Sequence, residues 1–177
     1  MLPNLTLVLG GVASGKSDFA ERLAVESGLN RIYLATAQAF DDDMKIKIER
    51  HKSSRGSGWT TIEEPVDIEA QFVSASSRDV ILLDCATLWL SNLLMADFDV
   101  EARTRALLAA LADCNAPVII VSNEVGGGGI AATSLARRFA NAQGKLNQEL
   151  AAASDTVVAV MAGLPLTFKG KLPEANP

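Results

Sequence analysis

Short apolar runs alternate along the chain with longer stretches in which apolar residues recur every three or four positions. The runs lie at Leu5–Leu9, Arg31–Ala35, Val80–Asp84, Val118–Ser122 and Thr156–Val160. They are rich in Val, Ile and Leu with little alternation, which predicts strands covered on both faces, as in a parallel sheet. A weaker strand is predicted near Trp59–Ile62.

The stretches between these runs have the helical period. Helices are predicted at Ser17–Ser27, roughly Asp43–Lys52, Val66–Ala75, Glu101–Cys114 and Leu135–Ala153. Strands that alternate with helices predict an α/β fold with right-handed crossovers. The 177 residues suffice for one domain, so we predict a single domain over residues 1–177 with a frayed tail from Gly170 to Pro177.

Composition narrows the class of protein. Apolar residues make up 49% of the chain and charged residues 21%, which is typical of a folded domain. The net charge is −5 and the Lys and Arg residues are scattered, which disfavours nucleic-acid binding. No apolar run approaches the roughly 20 residues of a membrane span. Cys85 and Cys114 have no metal-site spacing, which predicts two buried thiols in a reduced, cytoplasmic protein.

The segment "LGGVASGKSDFAERLA" carries the first chemical signal. It has the form G-x-x-x-x-G-K-S, follows a predicted strand and opens a predicted helix, which is the context of a phosphate-binding loop. Its glycines let main-chain N–H groups surround an anion at the positive end of the helix. We expect Lys16 to reach the β- and γ-phosphates of a nucleotide and the Ser17 hydroxyl to bind Mg²⁺.

A carboxylate for the magnesium site is predicted at Asp84. It ends the run Val80–Asp84, and in open α/β sheets that end of a strand faces the ligand crevice. Many strands end in Asp for turn reasons alone, but the glycine loop favours the functional interpretation.

Two further segments go beyond a generic nucleotide site. His51, the single histidine of the chain, lies among Lys47, Arg50, Lys52 and Arg55. These charges suit a polyphosphate and favour the neutral, nucleophilic imidazole, although a surface histidine on an amphipathic helix is the plainer alternative. In "VIIVSNEVGGGG" a predicted strand runs into four glycines, which permit close approach to a ligand, or motion.

The chain resembles the bifunctional adenosylcobinamide kinase / adenosylcobinamide-phosphate guanylyltransferase family of cobalamin biosynthesis. The glycine loop alone is generic. The segments H-K-x-x-R-x-x-x-W-x-T-x-E from His51, T-L-W-L-x-N from Thr87 and S-N-E-V-G from Ser122 are specific, and "LARRFANAQGKLNQELAAASD" with "AGLPLTFKG" extends the resemblance over nearly the whole chain.

The resemblance implies a fold and an activity. The fold is a RecA-like P-loop α/β domain, mostly parallel and flanked by helices, and relatives assemble as homotrimers. The family phosphorylates the aminopropanol hydroxyl of adenosylcobinamide with ATP or GTP. It then transfers GMP from GTP to that phosphate through a covalent histidine intermediate, and this histidine matches His51.

The resemblance also implies the site residues. His51 and Lys16 are expected to be catalytic, and Ser17 and Asp84 to bind Mg²⁺. The expected nucleotide-binding residues are Gly10, Gly11, Val12, Ala13, Ser14, Gly15, Lys16, Ser17, Ala35, Thr36, Ala37, Lys52, Ser53, Ser54, Arg55, Glu63 and Asp84. A carboxylate such as Glu63 can accept the N1–H and N2–H groups of guanine, although a solvated charge beside Pro65 is the alternative.

Departures and alternatives remain. The family usually has Arg where Ala13 stands, and the stretch from Gly128 to Thr133, which the family places near the corrinoid, differs from that of relatives. A P-loop kinase for another small molecule would keep the loop and Asp84 and make His51 incidental. A regulatory GTP switch is disfavoured because Asn-Lys-x-Asp and Asp-x-x-Gly motifs are absent.

Overall fold

A seven-stranded sheet forms the centre of the molecule, as seen in a computed structural model that describes residues 1–38, 56–129 and 132–173. The strands are β1 (Leu5–Gly10), β2 (Asn30–Ala35), β3 (Trp59–Glu63), β4 (Asp79–Asp84), β5 (Val118–Asn123), β6 (Thr156–Met161) and β7 (Leu164–Lys169). The helices are α1 (Lys16–Glu26), α2 (Glu69–Ser74), α3 (Ala86–Met95), α4 (Val100–Ala112) and α5 (Ser134–Ala153).

The strand order is β3-β2-β4-β5-β1-β6-β7, and all neighbours are parallel except the β6–β7 pair. The first strand therefore lies deep in the sheet between β5 and β6. Because the strands are parallel, their carboxyl ends share one edge, which is where ligands bind in open α/β sheets. The predicted α/β class with a mostly parallel sheet is confirmed.

Each sheet face packs on its own layer of helices. Successive side chains of a strand point to opposite faces, so Leu7 joins the core under α2, α3, α4 and α5, whereas Val8 joins the core under α1. The first core is centred on Trp89 and Phe72, both fully buried. No helix in the described part of the chain combines the length and apolarity of a membrane span.

Several sequence predictions change in detail. The helix predicted at Val66–Ala75 begins only at Glu69, because Glu64 Oε1 accepts hydrogen bonds from the N–H groups of Val66 and Asp67 and holds that segment in a turn. The helix α3 and the strand β7 were not predicted. The helix expected at Asp43–Lys52 lies outside the described residues.

Of two smaller expectations, one is corrected. Cys114 is only partly buried, so the prediction of two buried thiols holds for Cys85 alone. In the described part of the tail, Leu172 packs against the α1-side core and the Lys171 carbonyl accepts a hydrogen bond from Thr156, and the frayed tail from Gly170 stays a prediction. Residues 174–177 lie outside the described part. The single domain over residues 1–177 stays a prediction.

Candidate active site

The loop Gly10–Ser17 joins β1 to α1 at the carboxyl edge of the sheet. Gly15 adopts φ +91° directly before α1, a conformation that favours glycine, and no side chain of the described residues caps the helix. The first amides of α1 are therefore left to an external acceptor, as an anion-binding loop requires.

Two glycines of this loop are needed for close packing. A Cβ on Gly10 would lie against Ser14 Oγ and 2.7 Å from the Val160 carbonyl oxygen, and a Cβ on Gly15 would lie 3.1 Å from the Gly163 Cα. The Gly163 N–H also donates to the Ser14 carbonyl at 2.8 Å. The turn between β6 and β7 thus packs against the loop and forms a main-chain hydrogen bond with it.

Lys16 lies between the loop and the end of β4. Its Nζ donates to the Gly11 carbonyl at 3.1 Å. Burial, and next the Asp84 charge, raise the pKa of the Cys85 thiol to about 11, and the Lys16 charge opposes this rise. The Lys16 ammonium is therefore close enough to the Asp84–Cys85 segment to interact with it electrostatically.

Three predicted site residues are the last residues of neighbouring strands and pair with one another in register. Ala35, at the end of β2, pairs in register with Glu63 of β3 on one side and with Asp84 of β4 on the other. Thr36 follows Ala35 and is fully buried, and its N–H donates to the Asp84 carbonyl at 3.2 Å. The sheet thus brings two carboxylates, one exposed and one half-buried, to the edge that carries the glycine loop.

A tyrosine holds Asp84. The Tyr33 hydroxyl donates to Asp84 Oδ2, and the Tyr33 ring packs edge-on against Trp59 with ring centroids 6.0 Å apart. Tyr33 is only 4% exposed, so its packing limits the directions that the Asp84 carboxylate can take. Sequence reasoning missed Tyr33, because nothing in the pattern distinguishes it from a core residue.

The donor set suits magnesium. The Ser17 hydroxyl and the Asp84 carboxylate are hard oxygen ligands, and Mg²⁺ in nucleotide sites takes only one or two protein ligands beside water and phosphate oxygens. No group of three or more His, Cys, Asp or Glu residues in the described ranges could hold a metal on its own.

The segment after β5 lies beside the glycine loop. Asn123 pairs in register with Gly10, and the Glu124 N–H donates to the Gly10 carbonyl at 3.1 Å. Glu124 Oε1 then accepts from the Gly126 N–H at 2.6 Å, which opens the 3₁₀ turn Gly126–Gly128. The four-glycine segment therefore begins within contact distance of the phosphate loop.

The comparisons with known proteins agree with this geometry. The model of the family "Cobinamide kinase / cobinamide phosphate guanyltransferase" matches residues 6–168. The chain belongs to this family.

Two relatives of the family share most of their length with this chain. The bifunctional adenosylcobalamin biosynthesis protein CobP of Pseudomonas aeruginosa is 43% identical over 168 residues, which cover 93% of this chain and 97% of that protein. The CobU protein of Escherichia coli, with the same descriptive name, is 36% identical over 181 residues, which cover 93% of this chain and 99% of that protein.

Solved structures share the fold alone. The RadB recombinase superposes with a TM-score of 0.52 at 16% identity, covering 99% of this chain and 86% of that one. An ATPase of a type III secretion system superposes with a TM-score of 0.57 at 10% identity, covering 94% of this chain and 57% of that one. The predicted RecA-like P-loop class is consistent with both neighbours.

The site residues predicted for this member of the cobinamide kinase / guanyltransferase family divide into those that the structure describes and those outside the described residues. The described residues Gly10–Ser17, Ala35–Ala37, Glu63 and Asp84 all lie at the carboxyl edge of the sheet. His51, with Lys52, Ser53, Ser54 and Arg55, lies outside the described residues, so its assignment stays a prediction.

Proposed function

We propose that this chain phosphorylates the aminopropanol hydroxyl of adenosylcobinamide with ATP or GTP and then transfers GMP from GTP to the new phosphate. The observation that carries the proposal is the shared edge of the sheet. There the glycine loop, Asp84 and Glu63 lie at the carboxyl ends of their strands, in a chain that belongs to the cobinamide kinase / guanyltransferase family.

The glycine loop binds the β- and γ-phosphates in this proposal. The loop amides and the Lys16 ammonium are fixed donors for anionic oxygens, and Lys16 already donates to the Gly11 carbonyl of the loop. Ser17 and Asp84 would hold Mg²⁺, which when bound neutralises charge on the phosphate oxygens. Positioning and charge neutralisation are sufficient for phosphoryl transfer to a hydroxyl.

His51 carries the guanylyl group. A neutral imidazole nitrogen attacks the α-phosphorus of GTP, the P–N bond forms and the bond to the β-phosphate oxygen breaks, so pyrophosphate leaves. An oxygen of adenosylcobinamide phosphate then attacks the same phosphorus and the P–N bond breaks. The product is adenosylcobinamide-GDP. The cations Lys47, Arg50, Lys52 and Arg55 around His51 in the sequence support this role.

Glu63 selects guanine. Its exposed carboxylate ends β3 beside Ala35, on the far side of β2 from Asp84. A carboxylate accepts the N1–H and N2–H of guanine together, whereas adenine presents no such pair of donors.

One labelling experiment tests the transfer mechanism. Wild-type protein and His51→Ala are incubated with GTP labelled with ³²P at the α-position and with Mg²⁺, then denatured and split between acid and alkali. The wild type should retain label that acid removes and alkali does not, as for a phosphoramidate, and the variant should retain none. The variant should keep kinase activity, because that step needs no covalent carrier.

Other outcomes would assign a different function. Label that persists in His51→Ala, or that survives acid in the wild type, would place the nucleophile elsewhere. Absence of label in the wild type, with kinase activity retained, would make the chain an ordinary P-loop kinase.

We also propose that the protein forms a homotrimer and that it works in the cytoplasm. Leu164 and Leu166 alternate along the edge strand β7, so they lie on one face; Phe168 follows at an irregularity of the β6–β7 pairing, and each of the three is more than 60% exposed. An apolar stripe of this kind on an edge strand is typical of a contact surface. Sedimentation at micromolar concentration should give a trimer, and a monomer would overturn the assignment.

A further inference from the structure

The segment T-L-W-L-x-N has no role in the mechanism above, yet it supplies the polar side chains of α3. Thr87, Trp89 and Asn92 are all buried, at 6%, 0% and 7% exposure. The helix follows Asp84 directly and packs beneath the carboxyl edge of the sheet. Each of these three side chains bonds a main-chain group near that edge, Thr87 at the end of β5 and Trp89 and Asn92 in the loops after β2 and β3.

Asn92 joins two of these loops with a single nitrogen. Its Nδ2 donates to the Thr36 carbonyl, after β2, at 2.8 Å and to the Pro65 carbonyl, after β3, at 3.0 Å. Both N–H groups of the amide are therefore used to bridge the Ala35–Ala37 segment and the Glu63–Val66 segment.

The second loop is held at the next residue as well. The Val66 carbonyl accepts from Trp89 Nε1 at 2.9 Å and from an Arg103 guanidinium nitrogen at 2.7 Å. The same Arg103 nitrogen lies 3.0 Å from Asp67 and 2.9 Å from Glu69. The chain after Glu63 is thus fixed by donors from α3 and α4.

The first loop is fixed against the end of β4. The Thr36 hydroxyl donates to the Cys85 carbonyl at 2.9 Å and accepts from the Cys85 N–H at 3.0 Å. Thr36 is therefore bonded to the strand that carries Asp84, and through Asn92 to the loop that follows Glu63. These contacts add to the pairing of Ala35 with Glu63 and Asp84 in fixing the distance between Glu63 and the end of β4.

We propose that Asn92 is a positioning residue that sets the preference for guanine over adenine nucleotides, a role that rests on the proposed function of Glu63. A base bound near Ala35–Ala37 meets the Glu63 carboxylate only if the two loops keep their spacing, because hydrogen bonds weaken steeply with distance and angle. Asn92 bridges the loops that carry these two groups.

Simple packing does not explain an amide here. The neighbouring buried positions of α3 are Leu90 and Leu93, and an apolar residue at position 92 would fill the core without a polar group to satisfy. Asn92 instead satisfies two buried carbonyls, one from each loop. Its removal takes away the side-chain bridge beyond the strand ends, while the Glu64 N–H bond to the Ala35 carbonyl at 2.9 Å still joins the two segments, so their spacing should loosen and not be lost.

Equilibrium binding tests the proposal without any catalytic step. Dissociation constants for GTP and ATP are measured by competition with a fluorescent guanine nucleotide for the wild type, Asn92→Ala and Glu63→Gln. Asn92→Ala should weaken GTP binding about tenfold and leave ATP binding nearly unchanged, so the ratio of the ATP dissociation constant to the GTP dissociation constant falls about tenfold. Leu107→Ala, in the same core, controls for general loss of stability and should keep the wild-type ratio.

Each result decides between the two assignments. If Glu63→Gln lowers the ratio and Asn92→Ala does not, Glu63 selects guanine and the positioning role of Asn92 is overturned. If Asn92→Ala lowers the ratio and Glu63→Gln does not, the loops select the base without Glu63. If neither lowers it, or if Leu107→Ala lowers it equally, positioning by Asn92 is wrong. If Asn92→Ala does not fold, Trp89→Phe, which removes the donor to Val66 together with part of a buried ring, should also lower the ratio, and an unchanged ratio would overturn the proposal.

Discussion

The two ends of the proposed nucleotide site are held in place by different kinds of contact. At the phosphate end, main-chain contacts hold the loop: Gly163 N–H to Ser14 carbonyl, and Glu124 N–H to Gly10 carbonyl. At the proposed base end, main-chain bonds are joined by side-chain donors from the helices, chiefly Asn92 and Trp89. The phosphate end therefore depends on glycines, and the base end depends on the neighbouring helices.

This difference follows from the ligand groups. Phosphate is the same in every nucleotide, and main-chain N–H groups at a helix start bind it without reading its identity. A base must be distinguished by the pattern of its donors and acceptors, and that requires side chains held at fixed distances. Substitutions at the phosphate end should thus remove all nucleotide binding, and those at the base end should change selectivity.

The largest effect is expected at Lys16. Lys16→Ala removes the one charged side chain of the phosphate loop, so both transfer reactions should fall about a hundredfold or more. Circular dichroism should show an unchanged fold. Lys145→Ala is the control, because Lys145 pairs with Glu101 on the surface between α4 and α5. Wild-type turnover and GTP affinity in Lys16→Ala would show that the loop binds no phosphate.

Two adjacent glycines at the phosphate end should differ in how well they tolerate a Cβ. Gly10→Ala forces a Cβ against Ser14 Oγ and the Val160 carbonyl and should lower the free energy of unfolding by about 1–3 kcal/mol. Gly11→Ala is the matched control: a Cβ there meets nothing within 4 Å, so the change should stay within about 0.5 kcal/mol. Equal losses in urea unfolding would contradict the close packing at Gly10.

Tyr33 tests side-chain support at the magnesium position. Tyr33→Phe keeps the ring against Trp59 and removes the hydroxyl that donates to Asp84. The Mg²⁺ concentration for half-maximal nucleotide binding should rise roughly tenfold, and Asp84→Asn should raise it further. Thr104→Val removes a buried hydroxyl that bonds only within α4, so its magnesium titration should match the wild type. An unchanged titration in Tyr33→Phe would reduce Tyr33 to a packing role.

The smallest effect is expected at Cys85, which lies between the two ends of the site. Burial, and next the Asp84 charge, raise the pKa of its thiol to about 11, so the reactive thiolate is rare below that pH. Burial also raises the pKa of Cys114, but that residue is only partly buried. Iodoacetamide at pH 8 should label Cys114 first, and labelling of Cys114 should accelerate as the pH rises. Mass spectrometry showing Cys85 labelled first would contradict its burial.

The sequence predicted the phosphate end better than the base end. The glycine loop and Asp84 are contiguous with their strands, so local pattern is enough to find them. Tyr33, Glu124 and Gly163 act through strand pairing or long-range contacts, and their neighbours in space are distant in sequence. Asn92 and Thr87 were noted as part of a segment shared with the family, but only the fold shows that they bind the loops at the site edge.

The hydrophobic pattern failed to predict two elements, for opposite reasons. In α3, Ala86, Thr87, Trp89, Leu90, Asn92 and Leu93 are all buried, so apolar and polar positions do not separate onto two faces. In β7 every residue is exposed, and Pro165 argues against a strand in the interior of a sheet. The strand exists as the antiparallel edge partner of β6, a contact that local sequence does not encode.

The central place of β1 has a consequence for how the chain acquires its structure. β1 is made before the other strands, yet its sheet partners β5 and β6 are among the last, and the Ser14 carbonyl has no bond from the Gly163 N–H until that residue is made. Loop closure across nearly the whole chain must precede these pairings, which is slow for parallel sheets. A nascent chain therefore cannot form the phosphate-binding loop as described until β6 and Gly163 have been synthesised, so nucleotide can stabilise only molecules that already contain them.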